Sequence, residues 1–333
     1  MTSRRQTWIG IGVSLLFLIA IFMIIDPAEI WQAMINADLR YLLMVGAAIT
    51  LFLFLRAVRW RFMLGNAAPY SKVFHIQNIG YLFNFLLPAR MGDITRALLI
   101  GSVPPIKLAQ GLSTMVVERV LDLLFMATIL PLTLSQVETL PENLRSTAQT
   151  AGIGGLLAIF VLVFAANQRP LARRLATRVL DRLPFLDTDT WALRLDELLL
   201  GLQSFTRLRD GVVLLLLSVL VWLPIAWAYY WTFFAVGIHN ATLMMGAFVM
   251  CISAFSLALP SSPGGVGVYQ GGVIFAIATV LGFPADQAAA FSFLHQGMNF
   301  LVSLSLGLIG LRVTQSTFSA ILAAARQFAR RRV

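Results

Sequence analysis

Apolar runs of bilayer-spanning length dominate this chain, and they limit what its backbone can do. They cover Trp8 to Ile25, Leu39 to Leu55, Leu108 to Leu134, Val212 to Val236 and Gln287 to Val313, with a shorter run from Gly152 to Ala166. The hydrocarbon core takes roughly 17–25 helical residues to cross. It offers the backbone no hydrogen-bond partner, so only helices or closed barrels span it. The alternating segments of about 10 residues that mark a membrane barrel are absent. Of 333 residues, 59% are hydrophobic and 12% charged, against roughly 45–50% and 25% in a soluble domain. The expectation is an all-α polytopic integral membrane protein in one domain over residues 1–333, with six to eight transmembrane helices.

Two stretches interrupt this pattern. Ser256 to Ala276 (SLALPSSPGGVGVYQGGVIFA) places Pro260, Pro263, Gly264, Gly265, Gly267, Gly271 and Gly272 inside an apolar region. Asn84 to Ile100 (NFLLPARMGDITRALLI) breaks at Pro88 and is unusually polar. The apolar pieces flanking Pro88 are about ten residues each, too short to cross at about 1.5 Å per residue. The pattern predicts one or two re-entrant hairpins broken by Pro and Gly. Leu243 to Leu281 is either a hairpin or two true spans. Paired interrupted segments in two halves of a chain also suit an inverted repeat around a midplane site.

Charge orients the spans. The formal net charge is +10, from 25 Lys and Arg against 15 Asp and Glu. With the N-terminus in the cytoplasm, Arg40 and Arg145 are the only basic residues in the proposed external loops. The positive-inside rule expects that asymmetry. It places both termini inside a bacterial cytoplasmic membrane, with basic loops facing anionic lipid rather than nucleic acid. Residues 167–210 read as a cytoplasmic amphipathic segment lying on the inner leaflet, and 314–333 as a basic cytoplasmic tail.

Cys251 stands alone in an apolar run, which excludes a disulfide frame and a thiolate metal site. No phosphate-binding loop, HExxH motif or ligand-spaced His set occurs. No cofactor or metal is therefore expected, and no catalytic residue is assigned. Asp187-Thr-Asp189 suits a helix cap better than a nucleotide-sugar metal site.

The polar residues in apolar runs are the candidate site. Arg56 and Arg59 share a helical face beside Trp60. They suit either ordinary positive flanking or a cradle for a lipid phosphate. Glu118, Arg119 and Asp122 lie within a span, where each charge costs roughly 2.5–3.5 kcal/mol on insertion scales. The spacing lets Arg119 reach Asp122 locally, and the remaining acid needs Arg90, Arg96 or Arg56. A structural ion-pair network is the alternative. Gly267 and Gly271 suit close helix packing. Gln270, His295, Gln296 and Asn299 either bond across helices or line a path.

In order, Arg56…Arg59-Trp60, Asn84…Pro88-x-Arg90-x-Gly92-Asp93…Arg96, Glu118-Arg119-x-x-Asp122 and Pro260-x-x-Pro263-Gly264-Gly265-x-Gly267…Gln270 resemble the flippase-like membrane domain of lysylphosphatidylglycerol synthases. The resemblance covers nearly the whole chain, without the aminoacyl-transferase domain. It implies a stand-alone member that translocates a lipid or lipid-linked molecule between leaflets. It implies substrate contacts from Arg56, Arg59, Asn84, Arg90, Asp93, Arg96, Glu118, Arg119, Asp122, Pro263, Gly264, Gly265, Gly267 and Gln270. Some relatives carry Glu at the position of Gln270, so this chain lacks a charge there. The partners expected are membrane lipids. The rival readings are a membrane-embedded lipid-modifying enzyme and a scaffold for a lipid-synthesis enzyme.

Overall fold

A computed structural model describes residues 2–87, 91–134, 208–257, 262–319 and 321, with scattered positions between 142 and 157. Ten α-helices define the architecture among them: α1 (Thr2–Ile24), α2 (Pro27–Ile35), α3 (Leu39–Met63), α4 (Tyr70–Leu86), α5 (Met91–Gly101), α6 (Leu108–Leu134), α7 (Leu208–Ala235), α8 (Leu243–Ser256), α9 (Val268–Ile274) and α10 (Ala285–Val313). A 3₁₀ turn (Pro263–Gly265) precedes α9, and a π-helical segment (Phe275–Val280) follows it. The expected amphipathic segment 167–210 lies outside the described residues up to 207, as does the tail beyond 321.

Local chemistry sets the boundaries. The Asp26 carboxylate accepts from the Ala28 N–H, and Pro27 sits where its missing N–H costs nothing. This starts α2 at an 89° bend from the Ile11–Ile24 part of α1. Asp38 caps α3 in the same way, through the Arg40 N–H. The helices α3, α7 and α10, of 25, 28 and 29 residues, are long and apolar enough to cross a bilayer. Helix α6 has 27 residues but carries Glu118, Arg119 and Asp122. The bilayer-facing surface is apolar: Leu16, Met23, Leu216 and Leu301 are all exposed.

Both predicted breaks exist. Helices α4 and α5 form one hairpin; α8 and the segment 263–280 form the other, and the 18 residues of 263–280 are themselves long and apolar enough to cross a bilayer. At 17 residues α4 is longer than the ten expected before Pro88, because its helical pattern begins at Tyr70. The 11 residues of α5 reach only about 17 Å, short of a bilayer core of about 30 Å. Gly80 and Gly92 let the arms of the first hairpin touch. A Cβ on Gly92 would collide with the Gly80 carbonyl oxygen and the Asn84 side chain. In the second hairpin Gly264, Gly265 and Gly267 have φ of 70°, 73° and 89°, a region that only glycine enters without strain.

The main core joins α3, α7, α8, α9 and α10 through Ile49, Phe233, Phe248, Phe291 and their neighbours. A second core joins the end of α3 to α4, α5 and α6 through Trp60, Val73, Ile76, Ala97 and Leu121. The candidate site sits at that second core's edge.

Candidate functional site

Helices α3, α5 and α6 bring three guanidinium groups onto two carboxylates. Arg56 and Arg59 lie one turn apart on α3, and Glu118 and Asp122 one turn apart on α6, so the two pairs face each other in register. Arg56 Nε donates to Glu118 Oε1 at 2.6 Å, and its Nη2 donates to Asp122 Oδ2 at 2.7 Å. Arg59 Nη2 donates to Asp122 Oδ1 at 2.7 Å, and its Nη1 reaches Ser218 Oγ on α7 at 3.3 Å. Arg96, from α5, donates through Nη2 to Glu118 Oε2 at 3.0 Å. All five side chains are buried.

Aromatic faces complete the cluster. The Arg96 guanidinium lies 4.3 Å from the Trp60 ring centroid, and both Arg56 and Arg96 approach the Tyr81 ring. Ring faces attract cations most strongly where water is excluded. Trp60 is itself held by its N–H donating to Thr114 Oγ1 at 3.0 Å. Trp60 reads in the sequence as an interfacial belt residue; the structure makes it the floor of the arginine cluster. Its fixed interval from Arg56 and Arg59 is the signal. Nothing in the sequence marks Tyr81, Thr114 or Ser218.

The charge balance is uneven. Among the described residues, three buried guanidinium groups face two buried carboxylates, which leaves one positive charge in excess. Arg59 Nε and Arg96 Nε are buried without a hydrogen-bond partner among the described residues. An uncompensated buried charge is strongly destabilising. The cluster therefore has both the charge and the free donors to take one anionic group.

The expected pairing inside α6 is corrected. Arg119 does not turn to Asp122. It points away and donates to Asp93 Oδ2 on α5 at 2.6 Å. Asp122 already accepts from both Arg56 and Arg59, so both acids of α6 draw their partners from other helices. Asn84 Nδ2 donates to the other oxygen of Asp93 at 3.1 Å. This outer pair is open: the Arg119 side chain is 44% exposed and that of Asp93 23%. Arg90 and Pro88 lie outside the described residues.

The glycine turn is tied down rather than open. Gln270 Oε1 accepts from the Gly267 N–H at 2.6 Å, and Gln270 Nε2 donates to Gln296 Oε1. Gln296 Nε2 donates in turn to the Gly264 carbonyl at 2.7 Å. Gly267 packs on the Ser14 backbone and Gly271 on the Phe17 ring, so these glycines do serve close helix packing, against α1. Ser14 Oγ also accepts from the Ser262 N–H at 2.9 Å. Pro263 opens the 3₁₀ turn, and Gly265 is buried within it. The Phe85 ring lies against Gly264, so the two broken hairpins meet. His295 bonds through Nδ1 to Thr232 Oγ1, and Asn299 accepts from Ser303.

Long apolar helices, two broken hairpins meeting inside the bundle and a buried arginine–carboxylate cluster define a multi-pass α-helical membrane protein with an internal polar site. The chain matches the lysylphosphatidylglycerol synthase transmembrane region over residues 7–307 and belongs to that family. It is 25% identical to a UPF0104 membrane protein of Methanothermobacter thermautotrophicus, across 90% of each chain. It is also 25% identical to the glycosyltransferase AglD of Haloferax volcanii, covering 86% of this chain and 51% of that protein. No solved structure matches the chain at a significant level.

Proposed function

We propose that the protein moves a lipid or lipid-linked molecule with an anionic headgroup between the leaflets of the cytoplasmic membrane, with both termini inside. The observation that carries this reading is, among the described residues, the buried excess of one positive charge beside two unpartnered guanidinium N–H groups, Arg59 Nε and Arg96 Nε. Arginine forks bind phosphate oxygens through short, charge-assisted bonds. A phosphate monoanion entering here neutralises the excess, while Glu118 and Asp122 keep the guanidinium groups in place between turnovers. The family adds support, since it is named for the synthesis of a phospholipid, lysylphosphatidylglycerol. Flanking the site, the first hairpin has an arm, the 11-residue α5, too short to span, and so provides an element able to shift without unwinding a full span.

The test uses purified protein in liposomes carrying a fluorescent anionic phospholipid in both leaflets. A membrane-impermeant quencher is added outside. The expected result is quenching beyond about half for the wild type and a return to about half for Arg96→Ala and Arg59→Ala. Folded wild-type protein whose quenching stays at half with several anionic lipids would refute the reading. The similarity to the Haloferax glycosyltransferase favours a second reading, a lipid-modifying enzyme. It predicts a covalently altered lipid in the same liposomes. A partner enzyme of lipid synthesis remains the third arrangement, in which Arg96→Ala leaves function intact.

A further inference from the structure

The two halves of the described bundle repeat each other. Helices α3, α4, α5 and α6 run long, short, short, long, and so do α7, α8, α9 and α10. Exchanging the halves preserves the packing. Helices α3 and α7 lie against each other, α4 packs on α10, and α8 packs on α6.

The correspondence reaches single side chains. Asp93 is the third residue of α5, and Gln270 is the third residue of α9. Each bonds to the twelfth residue of the long helix that follows: Asp93 to Arg119 on α6, Gln270 to Gln296 on α10. The sequence separation is 26 residues in both pairs. Each of these residues also holds the break of its own hairpin, Asp93 through Asn84 and Gln270 through the Gly267 N–H. The residue before each partner bonds back to the leading helix of its half. Glu118 accepts from Arg56 on α3, and His295 pairs with Thr232 on α7.

The halves thus share a frame but not a charge. In the first half the pin between hairpin and long helix is an ion pair, partly exposed. In the second it is a run of carboxamides, with Gln270 buried. A phosphate oxygen competes with a carboxylate for a guanidinium on equal terms. It has no such hold on a pair of neutral amides.

We infer that Arg119, released from Asp93, is the docking position for a phosphate group, and that this exchange frees the α4–α5 hairpin while the equivalent Gln270–Gln296 pin keeps the other hairpin fixed. The inference rests on the anion-binding reading above and adds which jaw moves and what unlocks it. The charge excess on neighbouring Arg56, Arg59 and Arg96 favours entry of the anion at this edge.

Paired spin labels test it in a Cys251→Ala background. One pair, Leu86→Cys with Val116→Cys, spans the first hairpin and α6. The other, Phe255→Cys with Leu301→Cys, spans the second hairpin and α10. All four native positions are exposed. The protein is placed in vesicles of digalactosyl diacylglycerol, then in the same vesicles with inorganic phosphate, and in vesicles containing phosphatidylglycerol. The first pair is expected to broaden or shift by a few Å with phosphatidylglycerol, and the second to stay unchanged. A matching response to inorganic phosphate assigns the site to phosphate in general; its absence assigns it to a lipid phosphate. The double variant Asp93→Asn/Arg119→Gln should lose the response. Equal movement of both pairs, or no movement of the first pair in either phosphate condition, overturns the inference. Should the first pair respond in protein that moves no lipid, leaflet transfer falls and the anion site stands. Lipid transfer with neither pair responding leaves the transfer reading and removes this one.

Discussion

At the scale of single residues, Glu118 decides the most. It holds Arg56 and Arg96 at once, from two different helices, and all three side chains are buried. Removing one member of a buried pair costs about 3–5 kcal/mol, because the other charge is left without compensation. Glu118→Gln keeps the shape and removes the charge. A clear fall in the melting temperature of the detergent-solubilised protein is expected, together with a larger stabilisation by anionic lipid than the wild type shows. An unchanged melting temperature would mean that the cluster is solvated. The residues of this cluster were legible as charges out of place in apolar runs. Arg56 and Arg96 were legible too, as partners an acid of this span would need from elsewhere. The partner of Arg119 was not, because helical spacing allows it to reach Asp122 equally well, and only the crossing of α5 and α6 selects Asp93.

At the scale of elements, the two hairpins depend on glycine for different reasons. Gly92 has no room for a side chain against Gly80, whereas Gly267 combines a φ of 89° with contact on the Ser14 backbone. Gly267→Ala should destabilise the second hairpin, with about 1–3 kcal/mol from backbone strain alone. Gly297, within α10, has no neighbour among the described residues where a Cβ would go. Alanine there is expected to stabilise by about 0.5–1 kcal/mol. Melting temperatures of the two variants should move in opposite directions; movement of both downward would argue that α10 packs against a further element at Gly297. The breaks themselves were visible in sequence as Pro and Gly in apolar surroundings. That each is pinned by a side chain on the next long helix was not, since those contacts span 26 residues.

For the whole molecule, the expected orientation follows from where basic residues fall. Ser71 opens α4 just after the basic end of α3, and Asn240 sits in the turn between α7 and α8, so the two lie at opposite ends of the inward-running design. In a Cys251→Ala background, Ser71→Cys should react with a membrane-impermeant maleimide only in inverted vesicles, and Asn240→Cys only in intact cells. Reaction of both from one side would overturn the topology.

Composition, spanning runs and misplaced charges were sufficient, without coordinates, to specify a helical membrane protein with broken hairpins and a polar site. These are local properties, governed by what a short segment does in hydrocarbon. The pairing of charges, the meeting of the two breaks at Phe85 and Gly264, and the match between Asp93–Arg119 and Gln270–Gln296 arose only in the tertiary structure. They depend on which helix faces which, and packing between distant segments settles that. Thus the sequence names the groups too costly to leave alone in a membrane, and the fold supplies what compensates them.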